Sequence, residues 1–392
     1  MFPMTFLRRF AAAGLFALAS CAFAFSQTLT VLHTFHGSDG ELPESGLIHG
    51  SDGNLYGTTV GGGSVNCGTV FKITQAGKFS SIYSFLGGSD GCNPEASVIR
   101  DAAGNLYGTT VAGGLSNAGT VFKITSSGHE SVLYAFTGGA DGSSPDANVI
   151  RDAKGNLYGV TPNGGDVNCT PGGCGIAFKI SAAGIETILH TFSGPLGSAG
   201  DGGFPSGGLV FDSTGNLYGT TGAGGFWGEG TGFKIDPSGI ETILYSFGSA
   251  ARDGEGPGSL SFGPGGILYG ITGGGGDRDF GTVFMLDVQG NETILHSFAG
   301  AADGSDPSGP VARDAAGNLY GVTLSGGTSA DRGVVYKLDP SGTETILHSF
   351  QLGADGGNPS GRLYVNAQGA IFGTAFEGGA HGGNGVVFKI TQ

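Results

Sequence analysis

Hydrophobic and polar positions along the chain fall into four short runs that recur seven times. The most regular is an L-Y-G block, at Leu55-Tyr56-Gly57, Leu106-Tyr107-Gly108, Leu157-Tyr158-Gly159, Leu217-Tyr218-Gly219, Leu268-Tyr269-Gly270, Leu319-Tyr320-Gly321 and Ile371-Phe372-Gly373, with steps of 51, 51, 60, 51, 51 and 52 residues. A V-F-K-I run follows each copy, centred on Phe71, Phe122, Phe178, Phe233, Phe284, Tyr336 and Phe388. A T-I-L-H-S-F run ends at Phe35, Phe85, Phe136, Phe192, Phe247, Phe298 and Phe350, and a shorter apolar run such as Ser97-Val98-Ile99-Arg100 precedes each L-Y-G block. Their β-branched and aromatic content and the lack of a 3.6-residue period predict strands, four to a repeat. In repeat order they are strand A (the Ser97 type), B (L-Y-G), C (V-F-K-I) and D (T-I-L-H-S-F).

Turn chemistry separates the runs. Asp101-Ala102-Ala103-Gly104-Asn105 joins A to B, its Asp capping the turn and its Gly supplying a positive φ, and the same D-x-x-G-N stands at Asp152, Asp212 and Asp314. Four short antiparallel strands in about 51 residues match a propeller blade, and seven copies predict an all-β, seven-bladed β-propeller. The first run is of type D and the last of type C, so residues 28–35 are expected to complete blade 7 and hide its edge. The Gly within each B strand implies a close approach, expected from neighbouring sheets crowding toward the axis, with the Phe rows of C and D filling the space between blades.

Glycine supplies 82 of 392 residues without a period of three, and hydrophobic residues supply 39%, which excludes both collagen and a disordered polar tract. A net charge of −15 argues against nucleic acid and anionic membranes as partners. Arg8-Arg9 before the apolar run Phe10–Phe25 reads as a secretory leader, cleaved after Ala22-Phe23-Ala24, giving a leader of residues 1–24 and a single propeller over 25–392. Leu18-Ala19-Ser20-Cys21 offers the alternative of a lipoprotein leader over 1–20 with Cys21 lipidated. No transmembrane span is expected after removal of the leader, and the protein reads as a monomer. The four remaining cysteines suit an oxidising compartment. The topology places Cys67 and Cys92 on one face and leaves Cys169 and Cys174 bracketing one loop, so the expected disulfides are Cys67–Cys92 and Cys169–Cys174.

The repeated G-N-L-Y-G-T-T, G-T-V-F-K-I and E-T-I-L-H-S-F blocks resemble the tandem repeat of bacterial GloVer-type proteins over residues 28–392. That resemblance implies an extracytoplasmic or surface-associated protein of undefined activity, and it supplies no catalytic residues.

Candidate chemistry lies in the connections. A D-G-x-x-P motif between D and A begins at Asp39, Asp90, Asp141, Asp201, Asp253, Asp303 and Asp355, and seven carboxylates on one face could bind Ca²⁺ or a cationic ligand. The architectural reading is that Asp caps a turn and Pro fixes φ at the next strand, as a motif needed equally by every blade suggests. The row His33, Tyr83, Tyr134, His190, Tyr245, His296 and His348 reads as half-exposed packing. No metal or cofactor is otherwise expected. The B–C loops vary most: Phe226, Trp227 and Glu229 in blade 4 and Asp277, Arg278 and Asp279 in blade 5 combine aromatic planes with charges, as sugar-binding surfaces do. Blade 6 adds Asp331-Arg332 and blade 7 adds Glu377 and His381. No catalytic motif forces an enzyme assignment. The expectation is therefore an exported, non-catalytic propeller binding an extracellular glycan or surface protein through its loop face. The alternatives are a carbohydrate-active enzyme using Glu229 with Asp277 or Asp279, and a structural envelope protein.

Overall fold

The computed structural model describes residues 27–166, 169, 172–194, 200–328, 330–380 and 382–392; the leader, Cys21 and His381 lie outside the described residues. Seven antiparallel sheets follow one another along the chain. Blade 2 is typical, with strands Ile99–Arg100, Leu106–Thr110, Thr120–Ile124 and Glu130–Ala135 paired in that order. Blade 7 takes its D strand from the start of the chain: Thr28–Thr34 pairs with Val386–Thr391, from Thr28 opposite Thr391 to Thr34 opposite Val386. Two hydrogen bonds across the same closure, Ser360 Oγ to the Glu44 carbonyl (2.9 Å) and Thr374 Oγ1 to the Ser45 carbonyl (2.8 Å), join blade 7 to blade 1. No helix among the described residues is long and apolar enough to cross a membrane.

Blade 5 departs from the pattern. Its inner strand is split into Gly254–Pro257 and Ser261–Phe262, both paired with strand B. This blade is also one residue shorter here: three steps separate Pro257 from Leu260, where four separate Pro43 from Leu47.

The core is a ring of seven clusters, each shared by two adjacent blades. The D-strand phenylalanine of one blade meets the C-strand aromatic of the next, as in Phe85 with Phe122 at 5.0 Å and Phe247 with Phe284 at 5.1 Å, both edge to face. The B-strand glycines have a different explanation from crowding by neighbouring sheets. Gly57 pairs with Phe71 of its own blade, and the ring of Phe71 lies across it, where a Cβ would come within 2.6 Å of the ring. The cross-strand phenylalanine of the same blade therefore requires glycine.

A bulge in every C–D pair lets strand D serve two junctions. In blade 2, Val132 is opposite Phe122 and Tyr134 is opposite Val121, so one extra residue, Leu133, reverses the facing of the strand. Phe122 packs with blade 1 while Val121 and Phe136 pack with blade 3. The first half of strand D thus faces the preceding blade and its second half the following one.

Candidate functional site at the channel mouth

Strand A lines the axis, and its period of two decides what the channel contains. Leu47, Val98, Val149, Leu209, Leu260, Val311 and Leu363 are buried between blades. Alternate positions face a central cavity of about 530 Å³. At the far end Ile48, Ile99, Ile150 and Val210 make its wall apolar. At the loop end, the residue after each D-G-x-x-P proline is Glu44, Glu95, Asp146, Ser206, Gly258, Ser308 or Ser360. Blades 1 to 3 therefore present three carboxylates in succession, and blades 4 to 7 present hydroxyls or glycine.

Arg362 of blade 7 also lines this cavity, as do Leu324 and Phe376 near the ends of B strands. Burial, then the charge of Glu95, raises the carboxyl pKa of Glu44, and burial raises that of Glu95. Burial pushes Asp146 up to about 7, with a further push from Glu95. One Asp146 oxygen is buried without a hydrogen-bond partner. With a pKa of about 7, Asp146 is partly protonated near neutrality and can donate as well as accept hydrogen bonds. Sequence reasoning stopped each motif at its proline and missed these three acids. The signal was one residue further on, where a regular motif changes from blade to blade.

The connection that delivers these residues is backbone-strained in a regular way. Leu42, Asn93, Ser144, Phe204, Asp306 and Asn358, one position before the proline, all have φ between 53° and 59°, with Gly256 at 60° in blade 5. Each donates its amide to the preceding blade, as Asn93 does to the Cys67 carbonyl at 3.0 Å. Six side chains thus hold a conformation that glycine adopts more easily, which fixes the wall at the mouth.

The seven aspartates of D-G-x-x-P stand away from this mouth, beside the outermost strands, and the His/Tyr row stands with them. His33 reaches Asp39 at 2.9 Å, Tyr83 reaches Asp90 at 2.7 Å, Tyr134 reaches Asp141 at 3.1 Å, and His190 reaches Asp201 at 2.7 Å. Tyr245 meets Asp253 at 2.9 Å and His348 meets Asp355 at 3.1 Å, while His296 and Asp303 are 3.5 Å apart. Each aspartate also accepts a backbone amide near the D-strand phenylalanine, such as that of Leu86 on Asp90. The row is thus a set of hydrogen-bond partners rather than only packing. The D strand of the following blade adds Glu130, Glu186, Glu241, Glu292 or Glu344 at five junctions, and burial raises the pKa of each. At the two junctions flanking blade 7, Leu29 and Phe79 occupy the equivalent register.

The loops of blades 4 and 5 are open to solvent. Phe226 and Trp227 are 64% and 50% exposed and meet edge to face at 4.7 Å. Glu229 is exposed, Asp277 pairs with Arg252 at 2.9 Å, and Asp279 accepts the Gly275 amide at 2.9 Å. Arg278 is exposed beside them. In blades 6 and 7, Arg332 pairs with Glu377 at 3.0 Å and Asp331 accepts the Gly326 amide. Cys67 bonds to Cys92, with Cα atoms 4.5 Å apart, and Cys169 bonds to Cys174 at 5.8 Å. Both disulfides lie on the loop face.

The Gloeobacter/Verrucomicrobia repeat matches residues 13–200, 170–309 and 290–392. The chain belongs to this repeat family. Its tandem blocks are therefore Gloeobacter/Verrucomicrobia repeats folded as propeller blades, and together with the disulfides they suggest an extracytoplasmic location. No curated protein matches the chain. Among solved structures, the extracellular domain of a protein described as a hybrid two-component system from B. thetaiotaomicron superposes with a TM-score of 0.59 at 11% identity, over 93% of this chain and 39% of that one. An extracellular domain described as from a one-component system of the same organism gives 0.57 at 13% identity, over 94% and 42%. A puromycin hydrolase gives 0.55 at 14% identity, over 87% and 51%. The repeat protein spans about half or less of the length of these chains, and the likeness is one of fold.

Proposed function

We propose that this repeat protein is exported and is a non-catalytic binding propeller, taking an extracellular glycan or surface protein on its loop face with the acidic channel mouth as anchor. The observation that carries this reading is the break in sevenfold symmetry at the mouth, where Glu44, Glu95 and Asp146 share a wall that the other four blades leave without carboxylates. A residue needed only for architecture would recur in every blade. Carboxyl groups arrayed along a cleft suit sugar hydroxyls, each of which donates and accepts. Exposed apolar side chains on the surrounding B–C loops, Val65, Leu115, Phe226, Trp227 and Phe280, add the flat hydrophobic contacts that a sugar ring or a partner protein would cover. Two of the structural neighbours are extracellular domains, in keeping with a propeller outside the cell. Export rests on the leader, by cleavage after Ala24 or lipidation of Cys21.

A second reading has its own support. An Asp146 pKa of about 7 suits a general acid at neutral pH, so a glycan hydrolase would work from the mouth with Asp146 and Glu95 rather than from Glu229 with Asp277 or Asp279. The test is a thermal-shift screen of the mature protein against soluble polysaccharides, with release of reducing ends measured in parallel. The binding reading expects a glycan-specific rise in melting temperature without turnover, lost in a Glu95→Gln, Asp146→Asn double variant. Turnover abolished by Asp146→Asn alone would make the protein an enzyme. A rise that survives the double variant and disappears in Trp227→Ala would move the site to the blade 4 loop, and no rise with any glycan would favour a surface-protein ligand or an envelope structure.

A further inference from the structure

At the junction of blades 5 and 6 three metal-ligating atoms lie close together, and its histidine, unlike the other three of the row, lacks a hydrogen-bond partner. His296 Nε2 lies 3.5 Å from Asp303 Oδ2 and 3.8 Å from Glu344 Oε1. Neither contact is a good hydrogen bond, and both His296 Nε2 and Glu344 Oε1 are buried without a partner. Oε1 of Glu130, Glu186, Glu241 and Glu292 is buried without a partner too, so what sets this junction apart is its histidine. The tyrosines donate to their aspartates, and His33, His190 and His348 sit 2.7–3.1 Å from theirs. At the junctions of His33 and His348 there is no glutamate at all, because Phe79 and Leu29 stand in its register.

We propose that His296, Asp303 and Glu344 form a site for a divalent transition metal, Zn²⁺ in the first instance, that bridges blades 5 and 6. The three donor atoms lie within 4.8 Å of one another. With donors about 2.1 Å from the ion, the separations of 3.5 and 3.8 Å subtend angles of about 110–130°, close to tetrahedral. One imidazole with two carboxylates favours Zn²⁺ over Ca²⁺ or Mg²⁺, which prefer oxygen ligands alone. The outer partners are in place as well. The Ala299 amide donates to Asp303, and Phe298 packs edge-on to the His296 ring with centroids 4.8 Å apart. Asp303 is the most open of the three, with 24% of its side chain exposed, so water can complete the coordination. Each ligand comes from a different segment: strand D of blade 5, the connection to blade 6, and strand D of blade 6. The bound ion would therefore staple one junction of the ring.

Calorimetric titration of the EDTA-stripped mature protein with Zn²⁺ tests this, with Co²⁺ absorption reporting the coordination geometry. The expected result is one ion per chain, with a rise in melting temperature that His296→Tyr abolishes. Tyrosine is the residue the fold itself uses at Tyr83, Tyr134 and Tyr245, so that variant should fold unchanged. Glu344→Gln should weaken binding by at least about tenfold, and it decides the matter alone if His296→Tyr fails to fold. His190→Tyr, at the closed junction of blades 3 and 4, should leave Zn²⁺ binding intact. The proposal is overturned if the wild-type protein takes up no stoichiometric Zn²⁺, if binding survives both His296→Tyr and Glu344→Gln, or if His190→Tyr removes it.

Discussion

Each blade junction sets a D-strand phenylalanine edge-on or tilted against the C-strand ring of the next blade at 5.0–5.3 Å, whereas the channel wall carries a carboxylate on three blades and a hydroxyl or glycine on four. The two regions are built from the same repeats and obey different constraints. At a junction the space is closed, so a ring of one size with one partner is the solution that packs without voids, and it recurs. On the channel wall the side chain meets a cavity instead of a facing ring, so packing does not dictate one residue, and the position can answer to a ligand. Regularity therefore marks what holds the ring together, and irregularity marks where function is to be sought.

The largest effect that would sharpen this contrast comes from the closure. Deleting residues 28–35 removes the outer strand of blade 7, exposes the edge of Val386–Thr391, and takes Phe35 from beside Phe71. The loss of that buried ring alone should cost about 3–5 kcal/mol, and the strand pairing adds to it. The expected outcome is loss of the cooperative thermal transition, with self-association through the freed edge. A truncated chain that melts like the full-length protein would break the idea that all seven junctions are equally required.

The ring itself was legible because its determinants are periodic. The L-Y-G, V-F-K-I and T-I-L-H-S-F runs announce strands, and the order of the terminal runs announces the closure that Thr28–Thr34 makes with Val386–Thr391. The cysteine pairs followed from topology. What stayed hidden was long-range and asymmetric. Nothing local to Tyr83, Asp90 and Glu130 says that three positions spread over 48 residues converge on one junction, because the convergence depends on the D-strand bulge that turns one half of the strand backward and the other forward. The glycine in each B strand was recognisable as a close-approach position, but the identity of the approaching ring depends on register, Gly57 opposite Phe71. The acids at the mouth escaped notice because they lie just past a motif whose regularity drew the eye.

A second and smaller effect concerns pH. Burial, with Asp90, Asp201 and Asp253 adjacent in turn, pushes Glu130 up to about 8 and Glu241 and Glu292 up to about 7. An acid with a raised folded pKa binds more protons folded than unfolded, so its contribution is fully present below the unfolded value near 4.5 and is lost as pH rises through 7 to 8. At the opposite extreme, Asp52 and Asp212 are drawn down to about 2 by hydrogen bonds from their turns, including those of Asn54 and Asn216. Their contribution is present above the unfolded value near 3.8 and is lost as pH falls toward 2. The melting temperature should therefore peak near pH 4–5 and fall toward pH 8. Glu130→Gln should flatten the alkaline side of that profile, and a profile unchanged by this variant would separate the junction acids from the pH response.

The smallest effect lies at the one break in the aromatic rows. Six blades place phenylalanine on strand C, and blade 6 places Tyr336, whose hydroxyl is fully buried, without a hydrogen-bond partner, against Gly321. An unsatisfied buried hydroxyl costs about 1–3 kcal/mol, so Tyr336→Phe, which restores the residue found in every other blade, should stabilise the protein by about 1 kcal/mol and raise its melting temperature by a few degrees. A loss of stability instead would mean that the hydroxyl has a partner such as a buried water. Blade 6 would then carry an irregularity of the functional kind inside a junction, and the division between a regular frame and an irregular channel would have to be redrawn around it.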